Sequence, residues 1–388
     1  MKYVIYAGVF FMPDKNAAAH RAVAISKIIE TLGYKPVVIG MNSDITQNNI
    51  VFTEKEYAGI KVFEMKYPKS SIEWVKMLFN YMQIVRVIEY LGIENCQALI
   101  LMDYYSPALK SLLKYCKRKN LKMILDTVDW FGKSSYKFPI NIIKNFDTFV
   151  RMHFLNKKTK NLITISSYLE EYYKKHVENL VRIPGVYFSS ENQKTIKYEP
   201  NNVRIISFVG SPGKKCEKEK IDWVIKAVCK SNKECIKIKF IIAGIDRITL
   251  QKNRPDLFKL EHFDESIDIL GKISYEECKN LIMKSDFSII IREDNLLSRA
   301  GFPTKLGEAY AFGTPVLATP TSDIRDYVPA GYGIVTKTCT YDDVEKSIFD
   351  ISNMESKQII SMHEMIKYDN PLDYKKYVSI MEKIIKNF

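Results

Sequence analysis

The chain has 388 residues, and single cores stop growing near ~250–300, so two domains are expected. Its 46% hydrophobic and 27% charged residues exclude a disordered or fibrous chain and leave apolar material for two cores. The net charge of +13 is unevenly spread: 27 lysines and arginines meet 16 acidic residues up to Gly185, so 11 of the 13 positive charges fall there. That excess points to an anionic ligand or surface met by the first half. Nucleic acid is set aside, because no recognition motif, zinc finger or aromatic RNA-binding signature is present.

In chain order, apolar runs of four to six residues alternate with helical patterns, the signature of parallel βαβ units. In the first half strands are expected at 2–7, 35–40, 60–64, 98–102, 121–126, 162–165 and 180–183. Helices are expected near 17–32, 71–91, 106–119, 142–155 and 167–175. The polar stretch from Pro184 to Asn202 has no period and reads as a linker. The alternation then restarts with strands at 204–210, 237–244, DILG, 287–291, 315–319 and 333–335. Helices near 220–230, 275–284 and 304–312 lie between them, and helical patterns run to the end. The expected division is a first domain over 1–185, a linker over 186–202, a second domain over 203–370 and a final helix over 371–388. Two doubly wound domains of this kind hold ligands at the carboxyl edges of their strands.

The opening run MKYVIYAGVFFMPDK reads as a first strand and its loop, Asp14 included, with no small-residue cleavage site. No run reaches the roughly 20 apolar residues of a membrane span, and a cytoplasmic protein is expected. Cys96, Cys116, Cys216, Cys229, Cys235, Cys278 and Cys339 lack metal or disulfide spacing and read as free thiols. Two helical segments, 70–91 and 141–161, carry aromatic residues beside lysines and arginines. Each reads as a core helix or as a basic membrane face, and the charge excess favours the membrane.

The segment Arg299–Thr319, RAGFPTKLGEAYAFGTPVLAT, is the richest in chemistry. Gly301, Phe302, Pro303 and Thr304 form a loop that opens a helix, whose first N–H groups and dipole favour an anion. Lys305 adds a full positive charge in the first turn. Glu308 follows one turn later, where a carboxylate can accept hydrogen bonds from ribose hydroxyls. Arg292 leaves the strand at 287–291 at the same edge and could bind phosphate or a loop carboxylate such as Glu293. Asp126 and Asp129 leave the strand at 121–126 in the same way, Asp129 as the more functional and Asp126 as the more structural. His20 and Arg21 sit in the opening turn of the first helix, where they can bind an anion.

Arg299–Thr319 resembles the donor-binding signature of GT-B-fold retaining glycosyltransferases, the large family four, or glycosyl transferases group 1. The GFPTKLGEA variant resembles bacterial members acting on surface polysaccharides. The resemblance covers nearly the whole chain and implies two Rossmann-like doubly wound domains facing a central cleft, with the C-terminal helix crossing back to the first. It places Glu308 on the glutamate that holds the donor ribose, and Ala300 where the family has a second glutamate toward the donor sugar. FVGSPGKKCEKEKIDWVIKA (208–227) resembles the element that supplies a basic residue to the donor diphosphate. Lys218 is chosen there, with Lys214, Lys215 and Lys220 as competitors, and Ser211 stands where the family has an arginine. Gly271 and Lys272 match a loop that contacts the base. Ala17, Ala18 and Ala19 occupy positions that are often glycine, on the phosphate or acceptor side with His20, Arg21 and Asp126. MILDTVDWFG resembles an acceptor-side strand end, so Asp129 joins Lys218 and Lys305 as expected catalytic residues.

The expected activity is hexosyl transfer from a nucleotide sugar, a UDP-sugar rather than a GDP-sugar, to a lipid-linked or polysaccharide acceptor. Retention is implied by the resemblance. No cofactor and no metal are expected, since lysines and a helix end can stabilise the leaving phosphate. The site of action would be the cytoplasm or the inner face of the cell membrane, on anionic lipid. A GT-B epimerase and a catalytically silent subunit that stabilises a partner enzyme remain as alternatives, the latter because of Ala300.

Overall fold

The seven apolar runs of the first half become strands, joined by an eighth, in the computed structural model, which describes residues 2–12, 16–45, 52–130, 140–189, 198–200 and 202–386. They are β1 (Tyr3–Gly8), β2 (Lys35–Asn42), β3 (Thr53–Tyr57), β4 (Ile60–Lys66), β5 (Cys96–Met102), β6 (Lys122–Thr127), β7 (Asn161–Thr164) and β8 (Asn179–Arg182). They form one sheet in the order β3-β4-β2-β1-β5-β6-β7-β8, parallel throughout except for β3 against β4. Parallel strands are covered on both faces, which is why β1, β5 and β6 are apolar runs rather than alternating ones.

β3 is absent from the sequence expectation. Its sequence TEKEY is mostly exposed and carries no apolar run. The strand exists because Ala58 and Gly59, at φ +50° and +77°, close a hairpin onto β4 at the sheet edge. The helix expected over 71–91 is two, Ser71–Phe79 and Met82–Leu91, because Asn80 leaves helical geometry at ψ 88°. The 142–155 expectation becomes the helix Ile140–Val150, followed by a wider turn over Arg151–Leu155. The first helix, Ala17–Thr31, begins where expected because the Asn16 side chain accepts the Ala19 N–H.

The second half contributes β9 (Arg204–Val209), β10 (Ile238–Ala243), β11 (Ile267–Gly271), β12 (Phe287–Ile290), β13 (Val316–Ala318) and β14 (Gly333–Val335). Their order is β11-β10-β9-β12-β13-β14, all parallel. Phe208, Phe240, Phe287, Ile225, Val228 and Leu317 lie in its core. Short helices at Arg247–Asn253, Phe263–Ser266 and Ile324–Tyr327 are too brief for a legible period.

The two α/β units are unequal in chain terms. One comprises 1–188, 300–302 and 374–388; the other comprises 189–299 and 303–373. The C-terminal helix Val378–Lys386 therefore returns to the first unit, as expected. There Met381, Ile384 and Ile385 are buried, and the helix packs beside β8 and the first helix. The buried Lys122 ammonium donates to the Ile385 carbonyl at 3.2 Å, a hydrogen bond that caps that helix end. Of the expected linker 186–202, residues 190–197 and 201 lie outside the described residues, as does Asp14.

Candidate functional site

In the second unit the strand order reverses between β9 and β12, and the loops that follow these two strands leave from the switch point. Two glycines let the backbone converge there. Gly210 follows β9 at φ +130° and Gly244 follows β10 at φ +105°. A Cβ on Gly244 would stand 2.4 Å from the Gly210 carbonyl oxygen, and one on Gly210 would stand 3.2 Å from Lys305 Cε. The loop after Gly210 folds on itself, with Pro212 O accepting the N–H groups of Lys218 at 3.0 Å and Glu219 at 3.1 Å. Lys220 N then donates to Ile291 O at 2.8 Å, which ties this loop to the end of β12.

That fold turns Glu219 inward, where its side chain is 1% exposed. Its Oε1 accepts from Arg292 Nε at 2.8 Å, Arg292 Nη2 at 2.7 Å and Lys305 Nζ at 3.0 Å. Its Oε2 is buried without a hydrogen-bond partner among the described residues. Burial alone would raise the carboxyl pKa, but Lys305 and Arg292 hold it below its ordinary value. The Lys305 ammonium lies 4.8 Å from the Phe208 ring centroid, and burial lowers its pKa against the pull of Glu219. Two cations gathered on one buried carboxylate leave a net positive charge beside a strand end, which is what an anionic group requires.

Lys305 belongs to the helix Thr304–Ala311, whose start at Pro303 has no side-chain cap, leaving its first donors open to an outside acceptor. One turn on, Glu308 is half-buried and its carboxylate makes no hydrogen bond or ion pair among the described residues. Burial pushes its carboxyl up to about 7, with Lys305 acting against that shift. A raised, unpaired carboxylate one turn behind a cationic helix start is a ready acceptor for hydroxyl groups.

The other expected residues of this unit separate into two sets. Lys218 is exposed and makes no ion pair among the described residues, although its charge reaches Lys305. Lys220, a competitor, is bound to Glu293 at 2.7 Å, and Lys214 and Lys215 are exposed. Arg292 bonds Glu219 across the site rather than Glu293, its neighbour in the loop. Ser211 is exposed with its Oγ 3.4 Å from Gly213 N. Gly271, at φ +70°, ends β11 in open space beside the exposed Lys272. Gly301 and Phe302 are buried and group with the first unit.

In the first unit the structure corrects one expectation. Arg21 is not available to an anion. It is 2% exposed and bidentate to Asp126 at 2.8 Å on both arms, while its Nη1 donates to Ile183 O and Pro184 O. Tyr6 also donates to Asp126 at 2.6 Å, so Asp126 and Arg21 satisfy each other inside the core. His20 stacks on Tyr187 with ring centroids 5.0 Å apart, and Ala18 lies in the first turn of the same helix. Asp129 follows β6, and its N–H donates to Asp103 Oδ2 at 3.0 Å. Asp103 is in turn paired with Arg151.

Glu219, Gly210 and Gly244 escaped the sequence reading. Glu219 sits in the run KKCEKEK, where the lysines drew attention. An acid, Glu217 or Glu219, within a basic run that follows a strand–glycine end was the available signal. Among the described residues no group of three or more His, Cys, Asp or Glu could hold a metal ion.

Residues 189–370 match the family described as Glycosyl transferases group 1. No curated protein sequence matches. Among solved structures, the chain is similar to an E. coli trehalose-6-phosphate protein bound with UDP-2-fluoro glucose. That match has 10% identity, covers 100% of this chain and 99% of that one, and gives a TM-score of 0.69. Anabaena HepE in complex with UDP and glucose aligns at 12% identity over 100% of both chains, with a TM-score of 0.64. WaaG, a glycosyltransferase of lipopolysaccharide biosynthesis, aligns at 14% identity over 97% of this chain and 99% of that one, with a TM-score of 0.60. The fold of this chain, two α/β units with parallel sheets, is thus that of GT-B glycosyltransferase structures, and its segment 189–370 carries the group 1 pattern.

Proposed function

We propose that the protein transfers a hexosyl group from a nucleotide sugar to a lipid-linked or polysaccharide acceptor, at the inner face of the cell membrane. The observation that carries this reading is the arrangement at the β9–β12 switch point. Lys305 and Arg292 gather on buried Glu219, and the unpaired Glu308 follows one helical turn later. In this reading the diphosphate lies against Lys305, Lys218 and the start of the Thr304–Ala311 helix, and Glu308 accepts the ribose hydroxyls. As the glycosidic bond breaks, negative charge builds on the leaving diphosphate, and fixed cations there lower the barrier without a metal. Asp129, at the carboxyl end of β6, is assigned to the acceptor side. Gly271 and Lys272 are assigned to the base, and retention of configuration is part of the reading.

Thermal shift with a panel of nucleoside diphosphates and nucleotide sugars tests it, because a ligand of the native state raises Tm by mass action. UDP and UDP-sugars are expected to raise Tm more than their guanosine counterparts. No shift with any nucleotide would remove the donor site. Ala300, where the family pattern has a glutamate, favours one second reading, a catalytically silent subunit. That subunit would bind donor without turning it over, so donor hydrolysis by the isolated protein separates the two.

A further inference from the structure

The pairing of β12 with β13 ends at Ile290 and Ala318, and the residues just beyond take other partners. The Ile291 carbonyl turns toward the loop after β9 and accepts Lys220 N at 2.8 Å. That bond sets Glu219, just before Lys220, beside Arg292, just after Ile291. Arg292 is held from the opposite flank by Thr319, the residue that follows β13. The Thr319 hydroxyl accepts the Arg292 N–H at 2.8 Å and donates to the Arg292 carbonyl at 2.8 Å. One side chain thus satisfies both main-chain groups of a residue that the sheet has released. Thr319 is itself fully buried and firmly placed. Its N–H donates to Ile290 O at 3.0 Å, and its carbonyl accepts Thr321 N at 2.8 Å.

The consequence lies in the guanidinium. With its main chain fixed, Arg292 reaches Glu219 through Nε and Nη2, at 2.8 and 2.7 Å from Oε1. The Nη1 arm makes no hydrogen bond among the described residues, although the side chain is only 15% exposed. A guanidinium carries five donors in one rigid plane, so the bond to the carboxylate also fixes where the remaining arm points. Lys305 shares the same oxygen at 3.0 Å, which brings a second cation to the spare donors. A half-buried donor fork beside an ammonium is suited to phosphate, whose oxygens accept charge-assisted hydrogen bonds from both. Thr319 touches none of these charged groups. It acts on them only through the main chain of Arg292.

We infer that Thr319 is a positioning residue of the donor site: its hydroxyl holds Arg292 so that Nη1 donates to a phosphate oxygen of the donor diphosphate. The inference rests on the donor reading above. The test is calorimetric titration of the full chain with UDP and with uridine, which lacks the phosphates. Wild type is expected to bind UDP more tightly than uridine. Thr319→Val keeps the shape and removes both bonds to Arg292. It is expected to weaken UDP binding about tenfold, the loss of one charge-assisted hydrogen bond, with uridine binding unchanged. Thr319→Ser keeps the hydroxyl and should bind both probes as wild type does. Arg292→Lys keeps a cation for Glu219 but lacks the second arm, so it should show the same selective loss of UDP. In that background Thr319→Val should add no further loss, because the two residues act as one unit. The Cys339 thiol also lies against Thr319, and Cys339→Ala is the control, expected to bind UDP as wild type does.

Four outcomes would overturn the inference: unchanged UDP affinity in Thr319→Val, a parallel loss of uridine affinity, a further loss in the double variant, or an equal loss in Cys339→Ala. Should Thr319→Val fail to fold, unchanged UDP affinity in Arg292→Lys would overturn it equally. A wild type that binds UDP no more tightly than uridine would instead remove the donor reading, and this assignment with it.

Discussion

Glu219 and Lys305, 86 residues apart in sequence, meet at 3.0 Å in the second unit, and Arg292 shares the same carboxylate oxygen. The carboxylate is therefore a counterion that lets two cations sit side by side in a largely water-free place.

Glu219→Gln removes that counterion while nearly conserving shape, so Lys305 and Arg292 repel each other. Loss of one partner from a buried ionic cluster is expected to cost about 3 kcal/mol of stability. A nucleoside diphosphate should restore more of the Tm in this variant than it adds to wild type, because the anion replaces the missing charge. Thermal unfolding with and without UDP measures both effects. An unchanged Tm would show that the cluster carries no such energy.

Glu308→Ala is expected to weaken nucleoside diphosphate binding by about 1–3 kcal/mol, the loss of a charged hydrogen-bond partner. Isothermal titration on the folded variant decides this, and an unchanged Kd would disconnect Glu308 from the ribose.

The pH dependence of the same group is a separate measurement. Burial lifts the Glu308 carboxyl to about 7 from an ordinary 4.5, so between these values the folded state holds more protons than the unfolded one. Its contribution to stability therefore declines as pH rises through that window. Donor affinity runs the other way, rising toward and through pH 7 as the carboxylate forms. Glu308→Gln should flatten both profiles, and matching profiles for wild type and variant would refute the assignment.

Lys218 is exposed and unpaired among the described residues, whereas Lys220 is tied to Glu293. Lys218→Ala should weaken diphosphate binding at unchanged Tm, and Lys220→Ala should lower Tm with a smaller effect on binding. The reverse pattern would move the phosphate contact to Lys220.

Turnover should persist near its untreated level in excess chelator, because Lys305, Lys218 and a helix start are available to meet the leaving charge. Activity abolished by chelation and restored by magnesium or manganese would contradict that account.

The sheets and the Thr304–Ala311 helix could be read in advance because buried parallel strands and a glycine-led helix start leave continuous local patterns. β3 could not, since its edge residues are charged and its existence depends on a two-residue turn. The outward face of Ile140–Val150 was ambiguous for a different reason. A stripe at helical spacing says that a helix has an apolar side, and only the Asp147–Ser106 bonds decide which way that side points. Glu219 was hidden because its partners lie 73 and 86 residues away, beyond any local spacing rule. Arg21 was misassigned for the same reason, its partner Asp126 lying 105 residues on.

The return of the Val378–Lys386 helix to the first unit bears on how the chain folds as it is made. The bond from Lys122 to the Ile385 carbonyl closes a loop of 263 residues that contains the entire second unit. On the ribosome the first sheet must therefore wait, with the surface beside β8 and the Ala17–Thr31 helix uncovered, until the second unit has been synthesised. The later unit, apart from its Ala300–Phe302 excursion, can close first, and the earlier one is finished by residues translated after it, an inversion of the usual N-to-C order of domain completion.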